Sequence, residues 1–245
     1  MKIIAVIPAR YHASRFPGKL MQKLGDTTLI AHTYKNVLAT GLFSEVLVAT
    51  DSHAIQSEIE KLGGLVFRSL KEHECGSDRI AEAVLNHHAD VVVNIQGDEP
   101  FLNQPSLKAL LKVFREDVDQ QIDLASLMTP LREKEEIENL NNVKVIVDQQ
   151  NCALYFSRSP IPYYRSTDLP QNYYKHLGVY AFRREALLHF SASKMTPLEQ
   201  AEKIECIRYL EQGKKMKMVV THQSAIGIDT PEDLKKAEHF LNNPS

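Results

Sequence analysis

The apolar positions of this chain switch repeatedly between two rhythms. Residues 3–7 form a short β-branched run closed by Pro8, the pattern of a buried strand. From Thr27 or Thr28 to about Thr40, Leu29, Ile30, Tyr34, Val37 and Leu38 recur at helical spacing, with Gly41 as the stop. Residues 45–50 read as a second strand. Ser52 caps a helix to about Leu62, closed by Gly63 and Gly64, and residues 65–68 read as a third strand. A helix over 77–88 turns Ile80, Ala81, Val84 and Leu85 inward, and 91–95 is the most apolar strand of the chain. Strand and helix thus alternate through about the first hundred residues. That predicts an α/β fold with a mainly parallel sheet and helices on both faces.

The second half is less regular. Strands are expected over 125–131, 143–147, 153–157, 177–182 and 216–221, with a charged helical turn over 132–139. Pro160, Pro162 and Pro170 mark an irregular loop. Thr196, Pro197 and Glu199 form a capping box with proline at the first helical position, and the helix they open runs to about Gln212 before Gly213. Thr230, Pro231, Glu232 and Asp233 open the last helix in a similar way. No linker interrupts the chain, so one domain over 1–245 is expected, with an inserted excursion over about 140–185.

Composition narrows the function. The net charge of −2 on 245 residues offers no broad attraction to nucleic acid or membrane. Cys75, Cys152 and Cys206 are far apart and odd in number, which argues against a disulfide framework or a zinc site. No apolar run is long enough to span a bilayer and no signal-peptide architecture opens the chain, so the cytoplasm is the expected location.

Against this near-neutral background the loop over 8–19 stands out. Lys2, Arg10, Arg15, Lys19 and Lys23 are cationic, and no acidic residue precedes Asp26. Such a field fits a polyanion over the carboxyl end of the first strand, where open α/β sheets bind ligands. Arginine forks and a lysine point charge suit phosphate oxygens, and Gly18 lets the backbone approach closely. The loop is not a Walker motif, because Ala13 and Leu20 stand where Gly and Ser or Thr are needed. A Gly-x-Gly-x-x-Gly fingerprint is also absent. ATPase and dehydrogenase readings lose their usual support.

Two carboxylates stand where a cation is useful. Asp98 follows the apolar strand beside Gly97, and Asp229 precedes the last helix. Facing a basic loop, the pair suits magnesium bridging nucleotide phosphates. The alternatives are a turn residue before Pro100 for Asp98 and service to the helix dipole for Asp229. Asp51 reads as a turn or capping carboxylate. Gly76 and Ser77 offer backbone amides to a base, a sugar or an anion, or simply begin a helix. His87 and His88 read as solvated. Strand alternation puts His176 and Tyr180 on one face, either as half of a polar pocket or as a satisfied core edge.

The motifs Ile7-Pro8-Ala9-Arg10-Tyr11, Ser14-Arg15-Phe16-Pro17-Gly18-Lys19, Val48-Ala49-Thr50-Asp51, Gly76-Ser77-Asp78-Arg79 and Asn94-Ile95-Gln96-Gly97-Asp98-Glu99-Pro100 occur in this order. Ala153-Leu154-Tyr155-Phe156-Ser157-Arg158, His176-Leu177-Gly178-Val179-Tyr180 and Asp229-Thr230-Pro231-Glu232-Asp233 follow. Together they resemble the 3-deoxy-manno-octulosonate cytidylyltransferase (CMP-Kdo synthetase) family of Gram-negative bacteria. The resemblance implies a Rossmann-like sheet of the nucleotide-diphospho-sugar transferase type, and a cytoplasmic, Mg²⁺-dependent homodimer that activates the acid sugar Kdo with CTP for lipopolysaccharide biosynthesis. The nucleotide-binding half would cover about 1–104, and the excursion would serve sugar binding and dimerisation. By motif position Arg10, Lys19 and Asp98 would be catalytic. Ala9, Arg10, Arg15, Lys19, Gly76, Ser77 and Arg79 would bind the nucleotide. Gln96, Arg158, His176, Tyr180 and Glu205 would face the sugar, and Asp98 and Asp229 would hold magnesium. Another acid sugar, 8-amino-Kdo or sialic acid, is the alternative substrate. The chain departs from the family pattern at Leu20, at Gly25-Asp26-Thr27 and at Cys206, where the family typically has glutamine.

Overall fold

The computed structural model describes the whole chain except residues 12–15, 72, 74, 167, 169, 223–226 and 243–245. By packing, the chain divides into two compact units, Met1–Leu107 with Ala225–Ser245, and Lys108–Ser224. The expected nucleotide-binding half falls in the first unit and the expected excursion in the second.

The first unit runs β1 (Ile3–Ala9), a short hairpin of β2 (Lys23–Leu24) and β3 (Thr27–Thr28), α1 (Leu29–Ala39), β4 (Glu45–Thr50), α2 (His53–Glu60), β5 (Leu65–Arg68), α3 (Gly76–Ala83) and β6 (Val91–Asn94). The strands lie in the order β6-β1-β4-β5, all parallel. Ile4 to Ile7 of β1 and Val91 to Val93 of β6 have no solvent exposure, as befits central strands covered on both faces. From β1 the chain steps one way to β4 and β5, then returns to the other side of β1 for β6. That reversal opens a crevice at the carboxyl ends of β1 and β6, the usual ligand position in such sheets. The caps agree with the sequence: Thr28 accepts from the Ala31 amide and Ser52 from the Ile55 amide. Helix α3 is shorter than its expected span. It stops at Ala83, Leu85 is 55% exposed rather than inward, and His87 pairs with Glu45 at 2.9 Å rather than facing solvent unpartnered.

Helix α4 (Gln104–Glu116) leads into the second unit. It lies outside the sequence expectation although Leu107, Leu110, Leu111 and Phe114 follow helical spacing and are buried. The second unit continues β7 (Leu124–Leu131), α5 (Lys134–Glu138), β8 (Lys144–Val147), β9 (Ala153–Ser157), β10 (Tyr173–Arg183), α6 (Arg184–Ser191), α7 (Pro197–Glu202), α8 (Ile207–Glu211) and β11 (Met216–Val220). Strand β7 pairs antiparallel with β10 and parallel with β11, while β8 joins β10 to β9. Strand β10 begins four residues before its expected start, and α6 follows it with no intervening turn residue, which hides that helix in the sequence. The chain re-enters the first unit for α9 (Pro231–Asn242). Among the described residues no helix is long and apolar enough to cross a membrane.

The single helix expected over 197–212 is two. Lys203 takes a left-handed conformation (φ 55) after α7. The physical reason is the buried ion pair between Arg208 and Glu199, whose two fork bonds are both 2.7 Å. In a continuous helix, residues nine positions apart lie on opposite faces about 13.5 Å apart along the axis and do not meet. The bend brings them together, and the guanidinium also stacks 3.9 Å from the Phe190 ring centroid. A second ionic tie joins Arg183 to Asp117 at 2.7 Å, with the Asp117 carboxylate also accepting the Gln121 and Ile122 amides. Burial pushes Asp117 up, but the amide bonds and Arg183 outweigh it and hold the carboxyl below its ordinary 3.8.

Two stability predictions follow from these pairs. Glu199→Ala leaves Arg208 buried without its partner, and urea unfolding should show a loss of about 3–5 kcal/mol, while the double variant E199L/R208M recovers most of it. For Asp117, whose folded pKa is depressed, the stabilisation is complete above 3.8 and fades as pH falls through the folded value. Asp117→Asn should therefore cost about 1–3 kcal/mol at pH 7 and progressively less in acid.

Candidate active site

A cavity of about 250 Å³ lies in the first unit at the crevice expected from its topology. Pro8, Ala9 and Arg10 border it at the end of β1, and Gln96, Gly97 and Asp98 at the end of β6. Phe16, Lys19 and Leu20 come from the loop after β1. His73, Cys75, Gly76 and Arg79 come from the approach to α3 and its first turn, and Asp229 from the segment before α9. Ser77 lies fully buried behind Gly76. Arg15 lies outside the described residues.

The centre of the site is Lys19. Gly18 turns the chain with φ 65, a conformation that costs a glycine little, and a single 3-10 turn then carries Lys19 inward until it is 9% exposed. Its ammonium meets Asp98 Oδ2 at 2.5 Å and Asp229 Oδ1 at 3.0 Å. Burial disfavours the charged ammonium, but Asp98 and then Asp229 outweigh it and raise the Lys19 pKa above its ordinary value. Lys19 is therefore a permanent cation in the neutral range.

Two backbone devices bring the carboxylates together. The Ile228 amide donates to the Asp98 carbonyl at 3.0 Å, which sets Asp229 beside the end of β6. Gly97 allows β6 to end hard against α1: a Cβ there would lie 3.2 Å from Ile30 Cδ1 and 3.3 Å from Leu20. The Thr33 hydroxyl donates to the Gly97 carbonyl at 2.9 Å and keeps that segment in place. The hydrogen bonds bear on the alternatives left open by the sequence. Asp233, not Asp229, serves the start of α9, accepting the Thr230 amide at 3.0 Å and its hydroxyl at 2.9 Å. Asp98 and Asp229 both turn their carboxylates to one cation. Paired hard oxygen donors on the open wall of a cavity fit magnesium, which takes one or two protein carboxylates and completes its shell with phosphate and water.

Two wall residues, Arg79 and His73, have partners that the sequence did not pair with them. Asp51 is not a capping residue, since Ser52 caps α2; its Oδ2 pairs with Arg79 Nη2 at 2.7 Å. His73 Nε2 lies 2.8 Å from Glu82 Oε2, and the Ser69 hydroxyl donates to the same oxygen at 2.5 Å. Burial pushes Glu82 up, but Ser69 and His73 outweigh it and hold its pKa low. No local signal marks either pair, because their partners come from different elements.

The expected sugar-facing residues divide. Gln96 borders the cavity and donates to Asn94 Oδ1 at 3.1 Å. The other four belong to the second unit. His176 and Tyr180 do share a face, with ring centroids 5.3 Å apart, although β10 bulges between Leu177 and Tyr180. His176 is 8% exposed, packs edge-on to Phe156, and lies 2.9 Å from the Ser126 hydroxyl. Burial lowers its pKa to about 3, so the ring is neutral. Tyr180 is also buried, and its phenol bonds Cys206, which is fully buried. Glu205 is half-buried beside them and helps raise the Tyr180 phenol, after burial itself and Cys206. Arg158 spends its fork on backbone carbonyls, Glu202 at 2.8 Å and Leu140 at 3.0 Å. It keeps further N–H groups for another acceptor.

With this geometry in view, the comparisons with known proteins are direct. The model of the cytidylyltransferase family matches residues 4–216. The chain is 59% identical to 3-deoxy-manno-octulosonate cytidylyltransferase of Christiangramia forsetii, covering 98% of this chain and 97% of the relative. It is 56% identical to the protein of the same name in Flavobacterium johnsoniae, covering 99% and 100%. A solved CMP:2-keto-3-deoxy-manno-octonic acid synthetase complexed with CTP superposes with a TM-score of 0.94 at 34% identity over the full length of both chains. The 4-diphosphocytidyl-2C-methyl-D-erythritol synthase of Anaerococcus prevotii, at 18% identity and a TM-score of 0.65 over 99% of both chains, shares the fold.

The tight approach at Gly97 is open to test. Gly97→Ala should cost about 1–3 kcal/mol of stability by overpacking against Leu20 and Ile30. A thermal melt unchanged from the parent protein would contradict that packing.

Proposed function

Because this chain belongs to the cytidylyltransferase family, and within it to the 3-deoxy-manno-octulosonate cytidylyltransferases, we propose that it activates 3-deoxy-D-manno-octulosonate (Kdo) with CTP. The products are CMP-Kdo, for lipopolysaccharide assembly, and pyrophosphate. The observation that carries this reading is the Lys19 ammonium seated between Asp98 and Asp229 in a crevice that also holds Arg10 and Arg79.

The reaction joins the anomeric oxygen of Kdo to the α-phosphorus of CTP. The bond from that phosphorus to the β-phosphate bridging oxygen breaks, pyrophosphate carries away the electron pair, and the hydroxyl proton is released. No protein nucleophile is needed. The protein's share is positioning and charge neutralisation. Lys19 and Arg10 supply positive charge toward the triphosphate, while Ala9, Gly76 and Ser77 present the end of β1 and the start of α3 to the nucleoside. Asp98 and Asp229 would hold Mg²⁺, which when bound supplies further charge neutralisation for the phosphates. Of the residues expected to face the sugar, Gln96 borders the crevice; Glu205 and Arg158 are partly exposed, and the N–H groups that Arg158 keeps beyond its carbonyl bonds would suit the sugar carboxylate.

The same reading places the enzyme in the cytoplasm, where CTP is made, as a homodimer. Leu140, Leu154 and Tyr163 give the second unit exposed apolar surface that suits pairing with another copy.

The test is pyrophosphate release from CTP and Mg²⁺ with Kdo, with sialic acid, or with no sugar. Release is expected with Kdo alone and should stop when EDTA removes the metal. Asp98→Ala should lower turnover by about 10² or more with the fold intact. Release driven by sialic acid and not by Kdo would move the substrate, and unchanged turnover in the Asp98 variant would remove that residue from the mechanism.

A further inference from the structure

Arg79 presents an unusual balance of hydrogen bonds. Its side chain is only 7% exposed. Nη2 donates to Asp51 at 2.7 Å, whereas Nη1 is buried with no acceptor among the described residues. The residue sits on the wall of the nucleotide cavity. A buried N–H with no partner is costly, so an arrangement that keeps one beside a binding cavity is complete only when a ligand brings an acceptor.

Asp51 determines where that donor points. The guanidinium is planar, so a bond at Nη2 fixes the plane and with it the direction of Nη1. Asp51 is free for this task because Ser52 caps α2. It follows directly on β4, while Arg79 lies in the first turns of α3. The bond therefore braces the cavity wall against the sheet. Charge argues for the kind of acceptor. Asp51 already balances the Arg79 cation, so the pair carries no net charge toward the cavity. A balanced pair suits a neutral acceptor better than a phosphate. Cytosine offers two neutral acceptors on its pairing edge, the 2-carbonyl oxygen and N3, while uracil carries a hydrogen on N3 that opposes a donor.

Building on the cytidylyltransferase reading above, we propose that Asp51 is a positioning residue for the nucleotide, holding Arg79 so that Nη1 donates to the acceptor edge of the cytosine base. Asp51 itself does not touch the base. The pair acts on ground-state and transition-state binding alike, because the base is remote from the reacting phosphorus.

Steady-state kinetics of the full-length enzyme test this, with CTP, UTP and Kdo each varied in turn. Asp51→Ala should raise the KM for CTP about tenfold with kcat within about twofold, the pattern of lost uniform binding. The KM for Kdo should stay unchanged, and the preference for CTP over UTP should shrink. Asp51→Asn, which keeps an acceptor oxygen and the side-chain shape, should fall between the parent and Asp51→Ala. On an Arg79→Met background, Asp51→Ala should add nothing further. An unchanged or lower KM for CTP in the Asp51 variants would overturn the proposal, since a phosphate facing Arg79 gains when the competing carboxylate goes. A lower melting temperature with unchanged KM would equally reduce Asp51 to a structural role. Absence of CTP turnover in the parent enzyme would instead sink the cytidylyltransferase reading.

Discussion

Two carboxylates that face one another across a cavity repel unless a cation stands between them. In this protein Lys19 is that cation, 2.5 Å from Asp98 and 3.0 Å from Asp229. The three residues come from the loop after β1, the end of β6 and the segment before α9, so one charge interaction gathers three parts of the first unit. The surrounding structure is arranged to permit it. Gly18 turns the loop inward, Gly97 lets β6 end against α1, and the Ile228 amide ties its neighbour Asp229 to the Asp98 carbonyl.

The arrangement matches the chemistry of nucleotidyl transfer. A triphosphate brings more negative charge than one lysine can balance, so Arg10 and the two carboxylates, with the metal we propose for them, have complementary parts in managing it. The base and the phosphates call for different environments. Near the β1 loop the cations Lys19 and Arg10 face two carboxylates, and the metal proposed for that pair would add the positive charge a triphosphate needs. At Arg79 the charge is already balanced by Asp51, which leaves a directional donor rather than a field. Separating charge from direction in this way would let one crevice hold a polyanion and, as we propose for Arg79, read a neutral ring.

The second unit relies on buried polar contacts of another kind. The Arg208–Glu199 pair and the Arg183–Asp117 pair are satisfied within their own unit; the first ties α7 to α8, and the second ties the residue after α4 to the end of β10. His176, Tyr180 and Cys206 form a chain of buried polar groups in which the imidazole is neutral. Cys206, the departure from the usual glutamine, contacts Tyr180 rather than solvent, so its influence on a bound sugar would pass through that phenol.

Much of this could be read along the chain, because strand alternation, helical spacing and capping are local. Thr28, Ser52 and the Thr230–Asp233 box sit where their side chains reach a neighbouring amide, and the basic loop and both aspartates are visible as charge at strand ends. What escaped the sequence involves contacts between distant residues. The bend at Lys203 answers to Arg208 reaching Glu199, which no capping rule anticipates. Helix α6 follows β10 without a turn residue to announce it. The Asp51–Arg79 and His73–Glu82 pairs join separate elements, and nothing beside either residue names its partner. Local preference determined which elements form and in what order; only tertiary packing decided which charges meet, because a side chain's partner is set by the path of the whole backbone.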